Sequence, residues 1–411
     1  MLTPGTKFLI VDDDAMAVEI LTRILTKAGH RVFPETSAVN AIEVFKREQP
    51  EVVLADIMMP EMDGYELFHA LHATAGGERM MFFMISAKSY DFDRRRAMAM
   101  GADGYFTKPV AAETLLAEIE RIAGDKIDMH FWGVRGTLPV PGSKSLKYGG
   151  NTSCVTFAFP KGEFFIFDAG SGIKELSNAL MRERKARIRA KIFISHPHFD
   201  HINALPFFVP LYVKGNEFEI LGPNHGGKRM RELISAQMDD VYFPITISEF
   251  AARVDFRDLR EQQVDLGGDI AMRTMLLSHP GNCLGYRLEY GRRSICYVTD
   301  NELYLETDRS YNAAFVANLE EFLADADVVI TDTTYMDDEY PAKVGWGHSC
   351  VSQVAGVAHR AGVKNLYLFH HDPDQTDAHI DAKYEAMCGK LAALGSSTHC
   401  VAPTEGSSFK I

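Results

Sequence analysis

The sequence has few cysteines, no long apolar run and no excess of positive charge. Its six cysteines form no CxxC pair and no closely spaced framework, which predicts reduced, packed thiols rather than a disulfide scaffold. No apolar run reaches the roughly 18 residues that a membrane span needs, and the N-terminus turns acidic where a signal peptide would stay apolar, so we expect a cytoplasmic protein without a membrane partner. The formal net charge of -13 argues against nucleic acid as a partner.

Length and pattern predict two α/β domains. With 411 residues, the chain is too long for one ordinary core. Up to residue 124, five short apolar runs alternate with amphipathic segments, which is typical of a doubly wound, five-stranded parallel sheet. After a short linker at 125–128, residues 129–411 show paired strands and then alternating strands and helices. The sequence therefore predicts one domain at 1–124 and a second at 129–411.

Polar side chains follow four of the five strands predicted in the first domain. They are Asp12 and Asp13 after the first strand, Asp56 after the third, Ser86 after the fourth and Lys108 after the fifth. Because the carboxyl ends of parallel strands border one crevice, we expect these side chains to lie together. Three carboxylates would repel one another without a divalent cation among them, and oxygen ligands suit Mg²⁺. The lysine and the hydroxyl supply donors for a phosphoryl group on a carboxylate.

These residues resemble the receiver domain of two-component response regulators. The segments LIVDDD, LADIMMPEMDG, MISA and GYFTKP fall in the family's order. The resemblance implies a flavodoxin-like fold and a cognate histidine kinase that phosphorylates Asp56. It implies that Asp13, Asp56 and the main-chain carbonyl of Met58 hold Mg²⁺, and that Asp12 supports the ion through water.

The same resemblance implies a phosphorylation switch. Its residues would be Ser86, Tyr105 and Lys108, and the arginines at 94–96 would lie near the surface through which receivers dimerise or signal. A homodimer through the receiver is therefore one expected arrangement. The alternatives are a receiver that keeps the fold without accepting phosphate, and a merely solvated helix face at 94–96.

A predicted strand ends in the segment HPHFDH, which holds His196, His198, Asp200 and His201. These four side chains cannot share one face of a strand or a helix, so they fit a loop that leaves a strand and enters a helix. Two adjacent ions explain this arrangement better than one ion. Imidazole and carboxylate ligands suit Zn²⁺ foremost, with Mn²⁺ or Fe as alternatives.

Three more metal-binding side chains end later apolar runs, namely His279 in LLSHPGN, Asp300 in CYVTD and His370 in YLFHH. Together with HPHFDH they resemble the metallo-β-lactamase superfamily of hydrolases, over essentially all of residues 128–411. The resemblance implies an αββα sandwich and two metal ions. The implied ligands are His196, His198 and His279 for one ion, Asp200, His201 and His370 for the other, and Asp300 as the bridge between them.

The resemblance also implies a supporting residue and leaves one ligand open. Asp168 in FDAGSG would orient the ligands without binding a metal itself. His371 is the alternative to His370 as the last ligand.

Hydrolysis is the reaction that this resemblance implies. In the superfamily's redox branch, the flavodiiron reductases, an acidic residue takes the place of His198. Two adjacent divalent ions suit in-line displacement at a phosphodiester. The segment GWGHSC resembles the phosphodiesterase branch that contains ribonuclease Z, which implies that His348 stabilises the developing charge or protonates the leaving oxygen. The alternative for His348 is a helix-cap neighbour.

The sequence thus predicts a response regulator with a dinuclear-metal phosphodiesterase output, acting on a cyclic nucleotide or a similar small phosphodiester. Asp200 and His348 are its predicted catalytic residues, and Arg135 either meets the phosphate or forms a structural salt bridge. Only 21 residues separate His279 from Asp300, which leaves no room for a tRNA-clamping arm. The alternatives are a thioester or lactam hydrolase and a non-catalytic module that binds a ligand or a partner.

Overall fold

The computed structural model describes residues 2, 4–74, 76–77, 80–87, 91–183, 187–241 and 243–411. The chain divides into two compact units, one of residues 1–127 and one of residues 128–409. Within the described ranges, no helix is both long enough and apolar enough to span a membrane.

The first unit is a parallel sheet covered by helices on both faces. Its strands are β1 (Lys7–Val11), β2 (Arg31–Glu35), β3 (Val52–Asp56), β4 (Met81–Ser86) and β5 (Gly104–Thr107), and its helices are α1 (Ala15–Lys27), α2 (Ala38–Glu48), α3 (Gly64–His72), α4 (Asp91–Ala99) and α5 (Ala112–Gly124). The strand order β2-β1-β3-β4-β5 is that of a flavodoxin-like sheet, which confirms the predicted fold class.

Successive side chains of β1 point to opposite faces of the sheet, and apolar side chains on both faces explain why helices cover both. Phe8 and Ile10 point to the core shared with α1 and α5, whereas Leu9 and Val11 point to the core shared with α2 and α3. All four side chains are buried, as expected for a central strand of a parallel sheet. At the carboxyl end of the strand, the Asp14 side chain accepts a hydrogen bond from the Met16 amide and so caps α1.

The second unit contains two seven-stranded sheets. Its strands are β6 (Asp128–Gly133), β7 (Cys154–Ala158), β8 (Phe164–Phe167), β9 (Arg189–Phe193), β10 (Glu217–Pro223), β11 (Arg253–Leu259), β12 (Gln263–Asp265), β13 (Ile270–Leu276), β14 (Leu284–Tyr290), β15 (Arg293–Val298), β16 (Val328–Asp332), β17 (Asn365–Phe369), β18 (His399–Val401) and β19 (Ser408–Lys410). Its helices are α6 (Ile173–Arg182), α7 (Phe199–Ile202), α8 (Met230–Ala236), α9 (Ala313–Leu323), α10 (Val351–Arg360) and α11 (Asp377–Ala393). The strand orders are β11-β10-β9-β8-β7-β6-β19 and β12-β13-β14-β15-β16-β17-β18.

Aromatic side chains fill the space between these two sheets. Phe131 of β6 packs on Tyr367 of β17 with ring centroids 5.6 Å apart, and Phe167 of β8 packs on Tyr297 of β15 at 5.2 Å. Each such pair contributes about 0.5–1.5 kcal/mol beyond the burial of its surface. Helices α6 and α8 cover the outer face of one sheet, and α9, α10 and α11 cover the other, which confirms the predicted αββα sandwich.

Parallel strands in both sheets end at the edge where the functional side chains lie. Both of these sheets belong to the second unit. Strands β8, β9 and β10 run parallel in one of them, and strands β15, β16 and β17 run parallel in the other. Asp168 follows β8, Asp300 follows β15 and His370 follows β17, while Asp332 is the last residue of β16.

Candidate metal centre

Four ligating atoms form a first cluster at the end of β9. His198 Nδ1 lies 2.8 Å from His196 Nε2 and 3.1 Å from His279 Nε2. Asp300 Oδ2 lies 3.6 Å from His196 Nε2 and 3.7 Å from His279 Nε2. Four ligands arranged tetrahedrally around one Zn²⁺ would lie about 3.3 Å from one another, given Zn–N bonds of roughly 2.0–2.1 Å. The observed separations lie on either side of that value, so the cluster has the dimensions of a zinc site.

A second cluster lies beside the first and shares Asp300. His201 Nε2 is 3.2 Å from both Asp200 Oδ2 and Asp300 Oδ1, and His370 Nε2 is 3.0 Å and 3.2 Å from the same two oxygens. Asp300 thus directs Oδ2 toward the first cluster and Oδ1 toward the second. Across the described residues, both clusters belong to groups whose donor atoms all lie within 4.8 Å of one another. The structure therefore brings together the seven predicted ligands.

The charges of these groups suit divalent cations. Burial alone would raise the pKa of Asp300, yet the neighbouring imidazoles of His370 and His201 hold it well below its usual range. Burial lowers the pKa of His196, and the His201 ring beside it adds to this effect. An ionised carboxylate and a neutral imidazole are the forms in which these side chains bind metals.

His201 gives an independent test of fit. Burial opposes its protonation, but Asp200, Asp300 and Asp168 together raise the pKa of His201 well above its usual value. Its Nε2 is buried without a hydrogen-bond partner, although two carboxylate oxygens lie 3.2 Å away. Two carboxylates that face one buried nitrogen create a negative potential, which a metal ion can balance in place of a proton, so the residues present fit a bound metal ion.

Asp168 holds His201, one ligand of the second cluster, in place. It is fully buried and accepts hydrogen bonds from the Ser195 amide at 2.7 Å, from His201 Nδ1 at 2.7 Å and from the Tyr297 hydroxyl at 2.8 Å. The bond to Nδ1 leaves Nε2 of His201 free to bind a metal. This is the orienting contact that a metal-binding imidazole usually has, and it is the position predicted for Asp168.

Three non-glycine residues beside the centre adopt a left-handed backbone conformation. Thr137, Asp168 and His370 adopt positive φ angles of 65°, 59° and 59°. For a β-branched residue such as Thr137 this conformation is a genuine outlier, and here its amide donates a 2.7 Å hydrogen bond to Asp200 Oδ2. Gly136 is required for a different reason, because a Cβ at this position would lie 2.0 Å from the His370 ring. The segment is thus shaped around the second cluster.

Glu302 is a functional residue that the sequence did not predict. Its buried carboxylate accepts hydrogen bonds from the amides of Gly345 and Gly347, both at 2.7 Å, and from the Tyr340 hydroxyl at 2.9 Å. The Gly347 carbonyl in turn accepts a 2.9 Å hydrogen bond from His279 Nδ1. Glu302 therefore fixes the loop that orients one ligand of the first cluster. Its only sequence signal is its place two residues after Asp300.

His348 lies against the second cluster and is paired with an acid. Its Nδ1 donates to Asp332 Oδ2 at 2.8 Å, and its ring stacks on His370 with centroids 4.8 Å apart. Burial opposes protonation, but Asp332 raises the pKa of His348 to about 9. His348 thus lies beside a predicted metal ligand, and its role in the reaction stays a prediction.

Arg135 and His371 point away from the two clusters. The fully buried guanidinium of Arg135 donates to the carbonyls of Gly149 at 2.7 Å and of Gln375 at 2.6 Å. Of the two alternatives for Arg135, this favours the structural one. His371 Nδ1 instead accepts a 3.2 Å hydrogen bond from the buried Lys383, so His370 rather than His371 joins the cluster.

The first unit brings its predicted polar residues to the carboxyl edge of its own sheet. Lys108 Nζ contacts Asp56 Oδ1 at 2.5 Å and Asp12 Oδ2 at 2.7 Å. Burial alone would lower the pKa of Lys108, but the bonds to Asp12 and Asp56 raise it. The Met58 amide donates to Asp56 Oδ2 at 2.6 Å, and Asp13 is exposed next to Asp12.

The two predicted switch residues sit on neighbouring strands. Ser86 is buried at the end of β4, and its carbonyl accepts the Lys108 amide at 2.7 Å. Tyr105 is half-buried on β5, where it pairs with Met84.

Comparison with known proteins identifies both units. Residues 8–120 match the response regulator receiver domain, and residues 164–371 match the β-lactamase superfamily domain. Response regulator MprA of Mycobacterium leprae is 34% identical over 116 residues, which cover 28% of this chain and 50% of MprA. Protein PilH of Pseudomonas aeruginosa is 33% identical over 116 residues, which cover 28% of this chain and 96% of PilH. The chain thus spans about half the length of MprA.

A solved structure is similar to the second unit. The metallo-β-lactamase fold protein YhfI from Bacillus subtilis is 17% identical, with a TM-score of 0.49, over 70% of this chain and 100% of YhfI. The family match over residues 164–371 covers half of the chain and by itself shows that the chain belongs to the β-lactamase superfamily. The chain also carries a response regulator receiver domain at residues 8–120.

Proposed function

We propose that this chain is a response regulator whose output is a dinuclear-metal phosphodiesterase, acting on a cyclic nucleotide or a related small phosphodiester. The observation that carries the proposal is Asp300, whose two carboxylate oxygens each face a separate set of ligating atoms. In this proposal residues 1–124 are the receiver, 125–128 the linker and 129–411 the hydrolase.

Seven residues would hold two divalent transition ions, with Zn²⁺ as the first choice. The proposed ligands are His196, His198 and His279 for one ion, Asp200, His201 and His370 for the other, and Asp300 for both. Two such ions would supply Lewis-acid charge on the attacking and leaving sides of a phosphodiester. The chain itself would supply the orientation, through Asp168 on His201 and Gly347 on His279.

His348 and Asp200 would take part in the reaction. The contact between His348 Nδ1 and Asp332 aligns the imidazole beside His370, so that it can donate a hydrogen bond to the phosphate or a proton to the leaving oxygen. The amide of Thr137 holds Asp200 Oδ2 in place at 2.7 Å, which fixes this side of the centre before substrate binds.

Elemental analysis and a substrate screen test the proposal together. We expect two equivalents of transition metal per chain and hydrolysis of a cyclic mononucleotide, a cyclic dinucleotide or a chromogenic phosphodiester. His348→Ala should lower kcat while both metals stay bound, and His69→Ala, at an exposed histidine of α3, is the matched control. A protein that binds two metals yet cleaves thioesters and no phosphodiester would overturn the proposal.

The receiver would control this activity through Asp56, with a histidine kinase as the phosphoryl donor. Phosphate on Asp56 would draw Lys108 away from Asp12. This movement would change the surroundings of Ser86 and Tyr105. The expected consequence is a change in dimerisation of the receiver or in turnover by the hydrolase. Turnover and oligomeric state should change when beryllofluoride is added to the wild type, but not when it is added to Asp56→Asn. Identical rates and oligomeric states in all four samples would end this part of the proposal.

A further inference from the structure

Three segments that reach the metal centre each expose a large apolar residue. Leu138 follows the residue whose amide bonds Asp200, Phe199 directly precedes Asp200, and Trp346 directly precedes Gly347. These three apolar residues are 61%, 74% and 59% exposed. Single exposed apolar residues are common on proteins, so exposure alone does not mark a binding site, and the surroundings of each residue decide.

Of these three residues, Trp346 lies on a backbone segment that a buried carboxylate holds. The glycines on either side of it, Gly345 and Gly347, both donate their amides to the buried Glu302. They adopt φ angles of 85° and 87°, which other residues rarely adopt. The backbone is therefore fixed on both sides of an exposed indole, and a rigid aromatic side chain loses little conformational entropy when a ligand covers it.

A cation lies over one face of the same indole. Lys343 Nζ is 4.1 Å from the centroid of the Trp346 ring, and the Trp346 amide donates to the Lys343 carbonyl at 3.1 Å. The cation–π contact holds one face of the indole, and the exposed remainder of the ring offers its other face to a planar group of a ligand. A substrate made only of small polar groups would gain nothing from the indole.

We infer that Trp346 is a specificity residue that stacks on the nucleobase of the substrate through the ring face opposite Lys343. This inference rests on the proposed phosphodiesterase function and narrows its substrate to a nucleotide. Because stacking uses the face of the base and not its edge, Trp346 would bind purines and pyrimidines alike.

Tryptophan fluorescence tests the stacking without requiring turnover. The chain has two tryptophans, and the other one, Trp132, donates its indole N–H to Thr156 at 2.9 Å and stacks on His130. In zinc-loaded Trp132→Phe, Trp346 is the sole indole, so adenosine monophosphate should quench its emission saturably. Ribose 5-phosphate, which lacks the base, should not. The reciprocal variant Trp346→Phe should show no quenching with either compound.

Kinetics give a second readout. Trp346→Ala should lower kcat/KM for a base-bearing phosphodiester by about 5- to 100-fold, mostly through KM, and leave a base-free ribose cyclic phosphate unchanged. Trp346→Phe keeps an aromatic face and should retain most of the activity. Equal losses on both substrates, or no quenching by the nucleotide, would overturn the inference. Cleavage of both substrates without quenching would refute only the stacking, whereas quenching without any cleavage would refute only the phosphodiesterase.

Discussion

Glu302→Gln tests how the loop before His348 is held against the metal centre. In the wild type, Oε1 of this buried carboxylate accepts from Tyr340 and Gly345, and Oε2 accepts from Gly347. Glutamine has the same shape, but its amide has one acceptor oxygen and one NH₂ group. At least one N–H of the loop would then face another N–H and lose its acceptor.

The magnitude follows from those contacts. A hydrogen bond to a charged group contributes about 1.5–3 kcal/mol, so the substitution should lower the free energy of unfolding by about 2–3 kcal/mol. For a unit of this size, that corresponds to a fall in Tm of roughly 3–5 °C. Because the Gly347 carbonyl orients His279, the loosened loop should also lower kcat by about 10- to 100-fold.

The assay compares thermal unfolding and phosphodiester turnover of the zinc-loaded full chain. Glu306→Gln is the matched control, since Glu306 is exposed four residues further along and its substitution should change neither quantity. An unchanged Tm and an unchanged kcat in Glu302→Gln would show that the carboxylate does not hold the loop, and the reasoning would fail.

Three further predictions concern the centre and its surroundings. Asp300→Asn should lower the bound metal from two equivalents to one or none, because one residue serves both clusters, and elemental analysis after gel filtration would show this. Burial lowers the pKa of Lys383 to about 7, whereas an unfolded lysine has a pKa of about 10.4. Between these two pH values the unfolded chain binds more protons than the folded chain, so the free energy of unfolding should rise with pH across that window. Lys383→Met should abolish this rise in chemical denaturation measured from neutral to alkaline pH. Arg135→Lys should lower the free energy of unfolding by about 2–4 kcal/mol, because the guanidinium contacts three carbonyl groups. KM for the phosphodiester should stay unchanged. A raised KM with an unchanged free energy of unfolding would instead favour the phosphate-binding role of Arg135.

The sequence predicts those parts of the fold and the site whose signal is local in the chain. The HPHFDH segment places four metal-binding side chains within six residues, so the cluster is visible without any tertiary information. The apolar runs of the first unit predict β1, β3 and β4 because strands buried on both faces are continuous in hydrophobicity. The edge strands β2 and β5 are less buried, and their signal is correspondingly weaker. By contrast, β11, β13 and β14 carry charged residues on their exposed faces, which hides them in a search for apolar runs.

The sequence does not reveal residues whose role depends on contacts with segments far away in the chain. Glu302 looks like any acid of its segment until the loop at 345–347 folds onto it. Thr137 carries no signal for its positive φ, since β-branched residues avoid that conformation. For Arg135 the sequence allowed two roles, and only the positions of the surrounding carbonyls distinguish them.

The hydrogen bond between Asp168 and Tyr297 joins the two halves of the sandwich, because Asp168 follows a strand of one sheet and Tyr297 belongs to the other. The same carboxylate orients His201, so any slip of one sheet over the other would turn a ligand of the centre. Metal affinity should therefore respond to how well the aromatic interior is filled. A cavity opened at Phe131, distant in sequence from every ligand, would then weaken metal binding as well as the fold.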